Sequence, residues 1–124
     1  MNKKRVNEWI LPAKNALIKF GIATENGAKV AKTFRGHISS FGAAVVMGSF
    51  KAAVAFFVEQ GGSSVEREKL IKAMYFVISE KTENAENILE IVCKKQGDEL
   101  NEFKNQFIDA SIALKLAMNF FELV

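Results

Sequence analysis

The stretch Phe41–Val58, FGAAVVMGSFKAAVAFFV, decides how this chain is read. A helix that spans a bilayer needs roughly 20 mainly apolar residues, about 30 Å of hydrocarbon at a rise of ~1.5 Å each. This run is shorter. It carries Lys51 in its interior, where a charge facing lipid costs about 2.5–3.5 kcal/mol. Upstream stand Lys32 and Arg35, then His37, Ser39 and Ser40. The run therefore reads as the buried helix of a water-exposed protein rather than a membrane span. Within it, Ala44, Gly48 and Ala52 recur every four residues, a ridge of small side chains against which a neighbouring helix can pack closely.

The rest of the chain reads at helical period on both sides of this run. Leu100, Phe103, Phe107, Ala110, Leu114, Ala117 and Phe121 alternate steps of three and four, one apolar stripe on a long final helix that Asp98 is placed to cap. Before it, Thr82 is placed to cap a helix running through Gln96, with Ile88, Leu89 and Val92 inward and Gly97 as terminator. Ser63 with Glu66 has the spacing of a capping box for a helix through Ser79 that buries Leu70, Met74, Val77 and Ile78, and Gly61 and Gly62 separate it from the opening run. Val30, Phe34, Ile38 and Phe41 predict a helix ending near Gly42. Val6, Ile10, Ala13, Leu17 and Phe20 predict the first helix, which Pro12 either kinks or starts. Neither strand alternation nor an Asn-Gly hairpin is expected, since the Glu-Asn-Gly at 25–27 follows a helical segment and leads into another. The expected fold is all-α, a compact bundle of five or six helices in one domain over residues 1–124.

Composition narrows the function. The chain has 124 residues, 49% hydrophobic and 25% charged, with eleven Phe, so it can bury a sizeable aromatic core and needs no second domain. A single cysteine, Cys93, excludes an internal disulfide and a cysteine-built zinc site; a reducing, cytoplasmic setting is expected, and the N-terminus does not read as a secretion signal. Cys93 itself reads as a small buried or half-buried hydrophobe. One His, one Cys, one Tyr and two Asp offer few catalytic combinations, and His37 reads as structural. Glu83, Glu86 and Glu90 can share a helix face but have no partnering His, and no Gly-rich phosphate loop is present. No enzyme activity, metal or cofactor is expected.

Charge is the remaining signal. Net charge is +3, yet residues 1–62 hold nine Lys/Arg against three Glu, and residues 63–124 hold eight against eleven acids. At about 100° per residue, Lys29, Lys32 and Arg35 fall within about 120° of one another on a helix, a basic stripe opposite Val30, Phe34 and Ile38. Lys3, Lys4 and Arg5 add a cluster, Lys14 and Lys19 extend it if their helix packs alongside, and Lys51 needs solvent or an anionic partner. Such groups bind phosphates by counterion release, with little sequence preference. Lys outnumbers Arg fourteen to three, which favours backbone contact over base reading. Some of these lysines read instead as helix-stabilising partners, since Glu25–Lys29, Glu68–Lys72 and Glu90–Lys94 are all i,i+4 pairs.

The segment VAKTFRGHISSFGAAVVMGSFKAAVAFFVEQGG, Val30–Gly62, resembles the small all-helical subunit of the type III-B CRISPR effector complex, the fifth Cmr protein. Phe34-Arg35 is similar to the aromatic-basic pair that opens a helix in that family. Gly48 with Ala52, Ala53, Val54, Ala55 and Phe56 is similar to its small-residue helix, and FIDASIALKLAMNFFELV to its terminal helix. The resemblance implies a non-catalytic subunit that stacks with copies of itself and sibling Cmr subunits and contacts guide and target RNA through phosphates, without a membrane or a small-molecule substrate. It makes Arg35 the leading RNA contact, with Lys32, Lys29 and Lys51 from the local reading. The alternatives are the type III-A small subunit and a helical adaptor that binds proteins through its apolar ridge or acidic half.

Overall fold

A computed structural model describes residues 1–24, 26–59 and 64–124, and shows a helical bundle with one minor sheet. In chain order the elements are α1 (Lys3–Lys19), β1 (Ala23–Thr24), β2 (Lys29–Val30), α2 (Thr33–Met47), α3 (Phe50–Val58), α4 (Ser64–Ser79), α5 (Ala85–Lys94), α6 (Gly97–Ala117), a 3-10 turn (Met118–Phe120) and β3 (Glu122–Leu123). The all-α expectation holds. No helix among the described residues is long and apolar enough to cross a membrane.

The run Phe41–Val58 is two helices, not one. Gly48 closes α2 by donating its N–H to the Ala44 carbonyl (2.9 Å), and it approaches so tightly that a Cβ there would lie 3.1 Å from that oxygen. Ser49 then starts α3, its Oγ accepting the Ala52 N–H at 3.0 Å. A glycine followed at once by an N-capping serine is a stop and a start, and it overrides the continuous apolarity around it. The expected ridge of Ala44, Gly48 and Ala52 is therefore split across the elbow. What the elbow achieves is aromatic packing around α6. Phe41 meets Phe57 at 5.2 Å between centroids, and Phe50 meets Phe107 at 5.1 Å. Phe103 stands edge-on to Phe107 at 5.0 Å. Offset and edge-to-face rings of this kind add to the area they bury.

The final helix matches its stripe: Phe103, Phe107, Ala110, Leu114 and Ala117 are buried, while Phe121 lies beyond the helix end. Its start differs from expectation. Gln96 occupies the cap without a side-chain bond, Asp98 lies in the first turn, and Gly97 turns the chain at φ +59° instead of ending α5. A left-handed φ of this kind is cheap only for glycine. Likewise Asn84, not Thr82, caps α5, accepting the Asn87 N–H at 2.8 Å, and that helix ends at Lys94 before Gln96. Helix α4 ends at Ser79 as its pattern implies and buries Leu70, Met74 and Val77; Ser63 and the glycines at 61 and 62 lie outside the described residues. Helix α1 runs straight through the position of Pro12, which leaves one backbone acceptor without its ladder partner.

Val30 is in a strand, so the second helix begins at Thr33 and not at Val30. The expectation of no hairpin fails here: Asn26 and Gly27 adopt left-handed φ of 63° and 76°, Ala28 donates its N–H to the Thr24 carbonyl at 3.0 Å, and β1 and β2 pair antiparallel with Ala23 opposite Val30 and Thr24 opposite Lys29. Strand β3 then pairs parallel with β2, Val124 donating its N–H to the Val30 carbonyl at 2.9 Å. Two-residue strands carry no alternation, which is why the sheet leaves no pattern in the sequence.

Helices α1 and α6 share the most extensive contact in the bundle, and one ion pair fixes it. Asp109 is 1% exposed on α6. Arg5 reaches it with Nε (2.8 Å) and Nη2 (2.7 Å), and also holds Glu102 at 2.9 Å through Nη1. Burial works to lower the Arg5 pKa, but the hydrogen bonds and charges of Asp109 and Glu102 outweigh it and leave it raised. The pair's contribution from Arg5 is complete below the ordinary guanidinium value and is lost only as pH climbs through the raised one. It is flat across neutral pH. Replacing Arg5 by Met should destabilise the fold by about 2–4 kcal/mol, since it strands a buried carboxylate, and Arg5→Met with Asp109→Leu should recover most of the loss; urea unfolding of the three variants checks this. Ser49→Ala should lower stability by about 1 kcal/mol in the same assay.

Candidate functional site

The four expected RNA contacts do not form one stripe. Lys29 is in β2, Lys32 is the residue before α2, and Arg35 lies in the first helical turns, so the helical-face relation holds for Lys32 and Arg35 alone. Lys51 begins α3, the length of α2 or about 22 Å away. There its Nζ donates to the Cys93 carbonyl at 3.2 Å, and Cys93 is exposed rather than a packed hydrophobe. The N-terminal cluster is remote as well, because α1 and α6 run in the same direction: Arg5 meets Glu102 and Asp109, while Lys14 Nζ sits over the Phe120 ring at 5.1 Å. Lys3 and Lys4 thus open α1 at the end opposite Lys19.

What the fold gathers instead is one basic end of the bundle. Helix α2 starts with Lys32 at its cap, no side-chain cap bond and no acidic residue in its first turn. A helix start is the positive end of the peptide dipole, and cations there are unfavourable unless an anion is near. Among the described residues, neither Lys32 nor Arg35 makes an ion pair. Helix α4 brings Lys69 to the same end, its Nζ donating to the Gly21 carbonyl at 3.4 Å, and Lys19 lies over the Phe76 ring at 5.4 Å. Lys69 was not indicated by any local pattern, since it reaches the site through α4 packing on α1 and α2. Lys29 stands beside these on the sheet, within the hairpin that follows α1.

One carboxylate partly offsets the cations. Glu66 accepts from Thr33 Oγ1 (3.1 Å) and pairs with His37 Nε2 (3.0 Å), tying α4 to the first turns of α2. His37 is therefore a positioned structural residue. Two of the three expected i,i+4 pairs form, Glu68 with Lys72 at 3.0 Å and Glu90 with Lys94 at 3.7 Å, whereas Glu25 lies outside the described residues. Glu83 precedes α5, so it does not share a helix face with Glu86 and Glu90, and no cluster of metal-ligating side chains occurs among the described residues.

Comparison with protein-family models, curated proteins and solved structures finds no match to this chain.

The basic end can hold an anion by charge and by hydrogen-bond donation. Glu66→Gln should loosen the tie between α4 and α2 by about 1 kcal/mol, read as a shift of the urea midpoint, because a half-exposed charge-assisted pair is lost.

Proposed function

We propose that this protein is a non-catalytic subunit that holds the phosphate backbone of single-stranded RNA at the basic end of its bundle. The observation that carries this reading is the start of α2, where Lys32 and Arg35 stand at a helix N-terminus without carboxylate partners among the described residues. Phosphate suits such a place on three counts: its charge, its acceptor oxygens and its indifference to which nucleotide bears it. Lys69 and Lys29 widen the surface, and Lys51 drops out of it.

The resemblance of Phe34-Arg35 and the terminal helix to the type III-B small subunit supports a setting in a Cmr ribonucleoprotein, with sibling subunits as neighbours and antiviral RNA targeting as the purpose. In that setting guide pairing supplies specificity, and this subunit supplies only backbone grip. The compact helical fold is compatible with that role and with the related type III-A subunit.

Fluorescence anisotropy with labelled single-stranded RNA should show binding that weakens with salt, with a log–log slope of about −2 for three neutralised phosphates. Lys32→Glu with Arg35→Glu should weaken it about tenfold or more at low salt, while Lys51→Glu leaves it nearly unchanged. Glu66→Gln should tighten it. Salt-independent or absent binding, in the free protein and in the purified native assembly alike, removes the RNA reading.

A further inference from the structure

Helices α2 and α6 lie antiparallel, and a long seam on their outer side is left uncovered. At one end Gly48 and Val45 face Leu100 and Lys104 across a groove of about 590 Å³. At the other end Ile38 and Ser39 face Ile112 and Lys115 across a second depression of about 300 Å³. The two are in line along α6. From Leu100 to Lys115 they extend about 22 Å, the length of about four helical turns.

The floor of the seam is aliphatic, and its charge is of one sign. Val46 is 82% exposed and Met47 is 87% exposed at the elbow, an unusual outlay of apolar surface in a bundle that buries so many of its rings. Gly42 leaves the mid-seam open, with nothing within 4 Å of where a Cβ would stand. Lys51 and Lys104 border the first depression and Lys115 the second, and no Asp or Glu lines either. Lys115 bonds only Ser39 Oγ, at 3.0 Å, and Lys104 makes no ion pair among the described residues. By contrast Lys72, Lys94 and Lys95 each pair with a glutamate one turn away.

The geometry points to this seam as the docking groove for an acidic amphipathic helix of a partner protein. Apolar side chains spaced i, i+3, i+4 and i+7 on that helix would cover Val46, Ile108 and Ile112, and flanking Asp or Glu would meet Lys104 and Lys115. Length, apolar floor and charge all match such a helix. Single-stranded RNA matches less well, because the floor offers no exposed aromatic ring for bases to stack on. The seam's lower end lies one helical turn from Arg35, so the docked helix would abut the basic end without covering Lys32 or Lys69. This inference stands apart from the RNA reading.

The test uses the full chain and a synthetic 18-residue peptide with Leu at the i, i+3, i+4 and i+7 positions and Glu elsewhere. Its controls are the same peptide with Leu replaced by Ser, an 18-residue polyglutamate and a 15-nucleotide oligouridylate. The expected result is saturable binding of the Leu/Glu peptide but not of the Ser-substituted peptide or polyglutamate, with amide NMR shifts at Val46, Ile108 and Ile112 that oligouridylate, bound at the basic end, does not produce. Lys104→Glu with Lys115→Glu should weaken it at least tenfold while leaving oligouridylate affinity unchanged. Val46→Asp, at an exposed position that should not disturb folding, should abolish it. Equal binding of polyglutamate, shifts confined to other surfaces, or loss of oligouridylate binding in the lysine variant when the unaltered protein retains it would each overturn the proposal. Failure of the RNA reading would show as no oligouridylate binding in the unaltered protein, with its peptide binding intact.

Discussion

A carboxylate cannot stay charged in the middle of an apolar helix face unless a cation is brought to it, and Asp109 sets that condition for the longest helix of this protein. Arg5 meets it with two guanidinium nitrogens and lies 5.3 Å from the centre of the Trp9 ring, so it is fixed by an aromatic face as well as by charge. Apolar stripes alone tolerate a slide of one turn. A buried ion pair does not, because a slide would leave both charges desolvated and alone. The pair therefore sets the register of α1 on α6, and with it the placement of the hairpin and of the start of α2.

Around that fixed pair the core is built from rings. Phe41, Phe50, Phe57, Phe103 and Phe107 come from three helices, and they meet because α2 and α3 break at Gly48–Ser49. A straight helix through Phe41–Val58 would carry Phe41 and Phe57 more than 20 Å apart along its axis. The elbow folds them onto one another, and it also leaves Val46 and Met47 projecting outside the turn. Interior packing and exposed surface thus follow from the same two residues.

How legible each part was depends on the range of the physics behind it. The stripe of α6 is a local periodicity, and its buried positions could be read directly. So could the end of α4 and the pairing of Glu68 with Lys72. The elbow was hidden because every neighbour of Gly48 is apolar or small, so the change of direction left the hydrophobic pattern intact; only the glycine-serine step signalled it. The hairpin was hidden because strands of two residues have no period, although Asn26-Gly27 carried the turn chemistry. Asp109 gave no sign of its burial, because nothing near it in sequence names Arg5 as its partner. At the candidate site, Lys32 and Arg35 were legible as a local basic pair. Lys69 was not, and Lys51 was misplaced, because both depend on where other helices carry them.

The pairing of β2 with β3 joins residues 29–30 to residues 122–123, a separation of 93 positions along the chain. Contacts among α1 to α4 can form before this one, since they involve only earlier residues. This one waits until residues 122–123 have emerged and residue 123 can take its place beside residue 30. During synthesis, then, the hairpin that leads into α2 has an open edge until residues 122–123 arrive to cover it.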